Sequence, residues 1–124
     1  MENKKISSFK DLIAWQKGHR IVLEIYKITK LFPKDEQFGL ISQMRRCAVS
    51  ITSNIAEGFS RKTFKDKSQF YSIALGSVTE LQNQIQIALD VEYIHESSYE
   101  DLDQGLIELH KIINGLMKSS MSRP

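Results

Sequence analysis

The chain has 124 residues, of which 41% are hydrophobic and 26% are charged, a composition typical of one soluble globular domain. It contains no apolar run long enough to span a bilayer, and its first residues lack a signal-peptide core. We therefore expect a cytoplasmic protein with no membrane partner. A single cysteine, Cys47, excludes an internal disulfide and is expected to be a small buried side chain.

The net charge of +2 conceals an uneven distribution of charge along the chain. Residues 1–67 carry 14 Lys and Arg against 7 Asp and Glu, whereas residues 68–124 carry 3 against 8. A basic half of this kind indicates either an anionic partner or attraction to the acidic half, within a subunit or between subunits. Both interpretations stay open at the level of sequence.

Apolar residues recur at helical spacing along the chain, and no strand pattern exceeds a few residues. We predict a flexible N-terminus over residues 1–8, helices at about 9–31, 36–60, 64–91 and 98–118, and a disordered tail over 119–124. The predicted caps are Ser8, Asp35 and Thr63 for the first three helices, and Ser97 or Ser98 for the fourth. Short connections between long helices predict an all-α, up-down-up-down antiparallel four-helix bundle.

The first predicted helix has more apolar surface than one bundle core needs. Its main apolar face comprises Leu12, Trp15, His19, Val22, Leu23 and Tyr26, and a second face comprises Ala14, Ile21, Ile25 and Ile28. Burying both faces requires another surface, and another copy of the chain is the simplest source. We therefore predict a homo-oligomer.

The second predicted helix has a narrow polar stripe beside its apolar face. Together with one residue of the third helix, this predicted structural polar stripe comprises Ser50, Ser53, Asn54, Glu57 and Glu80. Ser and Asn compete with the helix backbone for hydrogen bonds, so in mid-helix they indicate close approach by another backbone or a satisfied polar network. Glu80 falls level with the start of the second helix, and we predict its ion pair with Arg45 or Arg46. Glu57 is expected to bond within the stripe or across a subunit boundary.

No motif in the chain indicates an enzyme. There is no Gly-rich phosphate loop and no Cys-x-x-Cys, and the histidines His19, His95 and His110 fall on different elements without metal-ligand spacing. His19 is expected to be a packed core histidine. We predict no catalytic residue, no metal and no cofactor.

Basic residues form the one candidate ligand surface, which comprises Arg45, Arg46, Arg61, Lys62, Lys65 and Lys67. The last four cluster around the predicted turn between the second and third helices. They are either solvated side chains or a site for RNA or DNA phosphates, and in a ring the repeated clusters would act together. The alternative function is a structural or adaptor protein whose ligand is another protein.

Three motifs follow one another in the chain: Glu36-x-Phe38-Gly39-Leu40, Gln43-x-Arg45-Arg46-x-Ala48-Val49-Ser50-Ile51 and Ser53-Asn54-Ile55-Ala56-Glu57-Gly58. With them the chain resembles the four-helix-bundle proteins encoded in intervening sequences of bacterial 23S ribosomal RNA genes. That family is similar to the accessory variability protein of diversity-generating retroelements. The resemblance covers about residues 9–94.

This resemblance implies a ring-shaped pentamer, proposed nucleic-acid binding through basic surface and no established catalytic activity. The chain departs from the family pattern at Cys47, where Ala is usual, at Thr52, where Pro is usual, and at Ser60, where Gly is usual. A helix without the proline regains a backbone donor and is expected to be straighter, which bears on the geometry of the ring.

Overall fold

Four α-helices make up the computed structural model, which describes residues 5–121. They are α1 (Ile13–Thr29), α2 (Leu40–Ser60), α3 (Phe64–Asp90) and α4 (Glu96–Met121). Helices α1 and α3 each pack against both α2 and α4, so the four helices follow one another around the bundle and alternate in direction. The described residues contain no strand, and the predicted all-helical fold is confirmed.

The start of α1 differs from the prediction of a helix beginning at residue 9. Ser8 and Asp11 form the expected capping box, but it closes a single 3₁₀ turn over Phe9–Asp11. Leu12 is then extended, with φ −73° and ψ 131°, and α1 begins at Ile13. The buried side chain of Leu12 explains the break, because the extended backbone at this position leaves that side chain in the core.

The predicted cap of α2 at Asp35 is wrong. Lys34–Glu36 forms a 3₁₀ turn, and α2 begins only at Leu40. The carboxylate of Glu36 accepts a hydrogen bond from the Leu40 backbone N–H at 3.1 Å, and its other oxygen accepts one from the Tyr93 hydroxyl at 2.8 Å. These two bonds lower the pKa of Glu36 and, in return, raise the pKa of Tyr93. Glu36 therefore caps α2 and ties its start to the end of α3.

The observed ends of α3 and α4 agree with the sequence prediction at Thr63 and differ from it in α4. The Thr63 side chain accepts a hydrogen bond from the Asp66 backbone N–H, as predicted. By contrast, α4 begins at Glu96, so the predicted caps Ser97 and Ser98 lie inside its first turn. Residues 119–121, predicted to belong to a disordered tail, are helical, and the Ser120 hydroxyl donates to the Leu116 carbonyl. Residues 1–4 and 122–124 of the predicted flexible ends lie outside the described residues.

The core uses the two apolar faces predicted for α1 unequally. Ala14, Ile21 and Ile25 of the second face are buried, whereas Leu23 and Tyr26 of the main face are exposed. Gly18 lets α1 approach α2 closely, because a Cβ at this position would lie 3.0 Å from Cγ2 of Thr52. Helix α2 continues without interruption through Thr52, and its greater straightness stays a prediction.

At Gly58 the backbone of α2 lies directly against the ring of Tyr71 in α3. A Cβ at residue 58 would lie 2.7 Å from Cδ1 of Tyr71, whose side chain is only 1% exposed. The glycine at the end of the Ser-Asn-Ile-Ala-Glu-Gly motif is therefore explained by packing.

We expect Gly58→Ala to lower the free energy of unfolding by about 1–3 kcal/mol, because overpacking displaces the Tyr71 ring. Gly76→Ala is the matched control, since a Cβ there meets no atom within 4 Å. Alanine is the better helix former, so the control is expected to gain roughly 0.5–1 kcal/mol. Urea unfolding followed by circular dichroism measures both changes, and equal effects of the two substitutions would contradict the packing explanation.

Candidate nucleic-acid interface

The polar stripe of α2 is partly a hydrogen-bonded network that joins α2 to α3. The Ser50 hydroxyl lies 2.9 Å from the Ser77 hydroxyl, and the Asn54 side-chain amide donates to the Ser50 carbonyl at 2.8 Å. Ser53 is exposed, outside this network. Ser50 and Asn54 therefore form the predicted polar network. Ser53 is exposed and takes no part in it.

The two acidic residues assigned to the stripe behave differently. Glu57 pairs with Arg61 at 3.1 Å, one turn along α2, as expected for bonding within the stripe. The predicted ion pair of Glu80 with Arg45 or Arg46 is wrong, since no cation lies within 4 Å of Glu80 among the described residues.

The orientation of Arg45 explains why the predicted pair does not form. Its Nε donates to the Thr29 hydroxyl at 2.9 Å, and its guanidinium lies 4.7 Å from the ring centroid of Tyr26. Arg45 therefore faces α1, on the opposite side of α2 from Glu80. Arg46 is exposed between these two sides of α2.

Cys47 is held in an unreactive form. Its thiol donates to the Ser77 carbonyl at 3.1 Å, and burial, followed by the nearby Glu80 carboxylate, raises the pKa of Cys47 to about 12. Because the thiolate is the nucleophile, the group is inert near neutral pH. The expectation of a buried structural cysteine is confirmed.

The six candidate basic residues do not form one patch. Arg61, which directly follows the last residue of α2, lies 16 positions after Arg45, a separation of roughly 24 Å at the rise of an α-helix. Arg45 and Arg46 lie near the start of α2, and the other four surround the connection between α2 and α3.

Two of the four cations at the α2–α3 connection are engaged in the fold. Lys67 donates to the carbonyls of Gly58 at 3.2 Å and Phe59 at 2.8 Å, and so neutralises the C-terminal end of α2. Arg61 pairs with Glu57 and lies 4.7 Å from the ring centroid of Phe70.

Lys62 and Lys65 differ from these neighbours in being exposed. Neither has an acidic partner within 4 Å among residues 5–121. Their ammonium groups are the cations of the α2–α3 connection best placed for an external anion.

Metal and membrane sites are not found in the described part of the chain. No group of three His, Cys, Asp or Glu side chains is placed to hold a metal ion there. No helix among residues 5–121 is long and apolar enough to cross a bilayer. His19, predicted to be a core residue, is half-buried and stacks on Trp15 with ring centroids 4.7 Å apart.

The model of the 23S rRNA-intervening sequence protein family matches residues 10–115. The chain belongs to this family. A solved structure described as a protein of unknown function from the S23 ribosomal protein family of Bacteroides thetaiotaomicron VPI-5482 superposes with a TM-score of 0.78. The two chains are 22% identical, and the match covers 86% of this chain and 96% of the other, which shows the shared fold. A comparison with curated proteins finds no match.

Sequence reasoning in this family member missed the most exposed aromatic side chain. Phe38 is 95% exposed, although it appears above only as part of a motif. The sequence carried no clear signal for it, because residue 38 falls inside the helix predicted over about 36–60, whereas α2 begins at Leu40. Gln84 was also missed, because its burial depends on the approach of α2 to α3.

We expect Lys67→Met to lower the free energy of unfolding by about 1 kcal/mol, because the last carbonyls of α2 lose a charged donor. Lys65→Met, which removes an equal charge from an exposed position, is the matched control and is expected to have little effect. Thermal melts of the two variants measure the difference. Equal melting temperatures would show that Lys67 is as free as its neighbour.

The raised pKa of Cys47 predicts slow reaction with a thiol reagent. The group stays protonated well above pH 8, because its folded pKa of about 12 exceeds the ordinary value of 9.0. Labelling by iodoacetamide at pH 8 is expected to be at least tenfold slower in the native protein than in guanidinium chloride. Comparable rates in the two conditions would contradict the buried placement.

Proposed function

We propose that this protein is a non-enzymatic, ring-shaped homopentamer of the cytoplasm that binds RNA or DNA through its basic surface. The observation that carries the proposal is the pair of exposed lysines, Lys62 and Lys65, at the α2–α3 connection. Phosphate contacts of this type give affinity without sequence preference, because they neutralise backbone charge and release counterions.

The distribution of charge supports an external partner for the basic half of the chain. Among residues 5–121, the ion pair of Arg61 with Glu57 lies within the basic half, and no ion pair joins residues 5–67 to residues 68–121. Lys62, Lys65 and Glu80 are charges that have no partner of opposite sign within 4 Å among the described residues. They remain available for a nucleic acid or for a second copy.

Exposed apolar side chains support self-association. Leu23, Tyr26, Phe38 and Val49 lie on the surface formed by α1, α2 and the connection between them. The family resemblance, including that to the accessory variability protein of diversity-generating retroelements, points to a ring with basic surface. In such a ring the α2–α3 connections of all copies gather at one end, and their lysines act on the same ligand.

A non-enzymatic role is supported by the state of the nucleophilic side chains. Cys47 is protonated and buried, and the Ser50 hydroxyl contacts Ser77 and Asn54, neither of which is a base. The alternative function is a structural or adaptor protein that binds another protein, and the same exposed apolar residues favour it.

We expect the wild-type protein to retard labelled single-stranded RNA or DNA in a gel-shift assay at 50 mM salt and to lose most of this binding at 200 mM salt. The double variant Lys62→Glu/Lys65→Glu should lose binding by at least tenfold. Lys34→Glu/Lys111→Glu changes the net charge equally at exposed positions away from the α2–α3 connection, and it should retain most of the affinity.

Absence of wild-type binding at low salt would remove the nucleic-acid proposal and favour the adaptor alternative. Equal losses in both double variants would indicate attraction by net charge alone. The mass of the native particle tests the ring separately, because a protein that is monomeric at every concentration cannot form one.

A further inference from the structure

Two grooves flank α2, one on each side. The α1–α2 groove is lined by Tyr26, Phe38, Ile41, Arg45, Arg46 and Val49 among others. The α2–α3 groove is lined by Gln43, Arg46, Cys47, Ser50, Glu80 and Gln84. Between the two grooves runs the outward ridge of α2, which we define as Arg46, Ser50 and Ser53.

The α1–α2 groove combines apolar and basic character. Phe38 stands at its rim with 95% of its surface exposed, and Tyr26 and Val49 are also exposed. Arg45 is fixed on this side by Thr29 and Tyr26, while Arg46 is exposed and free of any acidic partner within 4 Å in the described chain. This groove therefore suits a surface that offers apolar side chains together with negative charge.

The α2–α3 groove shares Arg46 with the α1–α2 groove but also offers groups that an arginine could bind. Glu80 is exposed there without a cation, and the amide oxygen of the buried Gln84 is without a hydrogen-bond partner in the described structure. Ile73 and Ile87 follow the same stripe of α3, because residues 73, 77, 80, 84 and 87 repeat at intervals of three or four. Both isoleucines are exposed, Ile73 to 52%.

We propose that the α1–α2 groove of one copy docks against the α2–α3 groove of the next copy. The proposal rests on the self-association proposed above and names the surfaces that carry it. Apolar side chains meet across the contact, and the arginines of one copy face Glu80 and Gln84 of the other. Arg46 and Glu80, which have no oppositely charged partner within 4 Å among the described residues, are then paired between chains.

The positions of the two grooves decide the form of the assembly. A contact between two different surfaces is heterologous, and it closes into a ring when the rotation between neighbours allows. The grooves lie on adjacent sides of a roughly square four-helix bundle and so face about 90° apart. A ring of five, the assembly proposed above, requires about 108° between the two contact directions, so the grooves open only slightly beyond a right angle.

This arrangement explains the composition of the outward ridge of α2. The ring axis lies on the side of each subunit that both grooves share, which is the side of α2. Small side chains at Ser50 and Ser53 then let the α2 helices of several copies converge at the centre. The acidic outer face of α4, with Glu100, Asp101 and Glu108 exposed, lies at the periphery.

Two substitutions test the contact by disabling one groove each. Phe38→Glu changes the rim of the α1–α2 groove and places a negative charge opposite Glu80. Ile73→Lys changes the α2–α3 stripe and places a positive charge opposite the arginines. Ile107→Lys on α4 is the matched control, because this isoleucine is exposed to 36% but lies on the helix diagonal to α2.

Sedimentation velocity and native mass spectrometry should show that the wild type and Ile107→Lys assemble. Phe38→Glu and Ile73→Lys should each become monomeric, with at least a tenfold rise in the concentration needed for assembly. A mixture of the two should form one-to-one heterodimers and no ring, because only the intact α2–α3 groove of Phe38→Glu and the intact α1–α2 groove of Ile73→Lys can pair. Circular dichroism checks that all variants keep the helical content of the wild type.

Assembly of either groove variant at wild-type concentrations would overturn the docking proposal while leaving self-association intact. A mixture that stays monomeric would also overturn it, since the contact would not be between two different grooves. If a groove variant loses helical content, Phe38→Ser or Ile73→Ser replaces it, and the same outcomes apply. A wild type that is monomeric throughout would instead remove the proposed ring itself.

Discussion

The close approach of α2 to α3 is the constraint on which the rest of the structure depends. Gly58 lies against the buried ring of Tyr71, Ser50 meets Ser77 through their hydroxyls, and Cys47 donates to the Ser77 carbonyl. All the α2 residues at these contacts are small, so the two helices pack with little space between them. The contact spans most of the length of α2 and thereby orients its other sides toward α1 and toward the exterior.

This orientation gives α2 three different environments. One side of it enters the core, and a second side carries Arg45, which donates to Thr29 of α1. On the outward ridge, Arg46 and Ser53 are exposed and Ser50 is half-buried. A solvent-facing helix surface ordinarily carries long charged side chains, because these favour the helix more than serine does. Small residues on the outward ridge are consistent with a surface approached by another copy, as is the fully exposed Phe38.

The candidate cations differ in whether they already make contacts within the fold. Arg45 holds the end of α1, Arg61 is shared between Glu57 and Phe70, and Lys67 neutralises the carbonyls that end α2. Lys62 and Lys65 are exposed and have no acidic partner within 4 Å among the described residues. An arginine or lysine that already bonds to buried or helix-terminal groups must give up some of those bonds to contact a ligand. The two exposed lysines are therefore the better phosphate contacts.

Predictions from sequence succeeded where the deciding interaction is local. Thr63 caps α3 because its partner, Asp66, is three residues away, and Ser8 and Asp11 form their capping box for the same reason. The predictions for Asp35 and Glu80 were wrong because distant residues decide them. Tyr93, 57 residues from Glu36, helps to hold the carboxylate that caps α2, and α1 draws Arg45 away from Glu80.

The sequence by itself determined the helical class of the fold, the uneven charge and the family, since periodicity, composition and motifs are properties of the chain alone. Only the tertiary structure decided which apolar face of α1 is buried. Leu23 and Ile25 are equally apolar, yet one is exposed and the other is fully covered. The physical reason is that a helix presents only one side to a given neighbour, and which side it presents depends on contacts with α2 and α4 that lie far away along the chain.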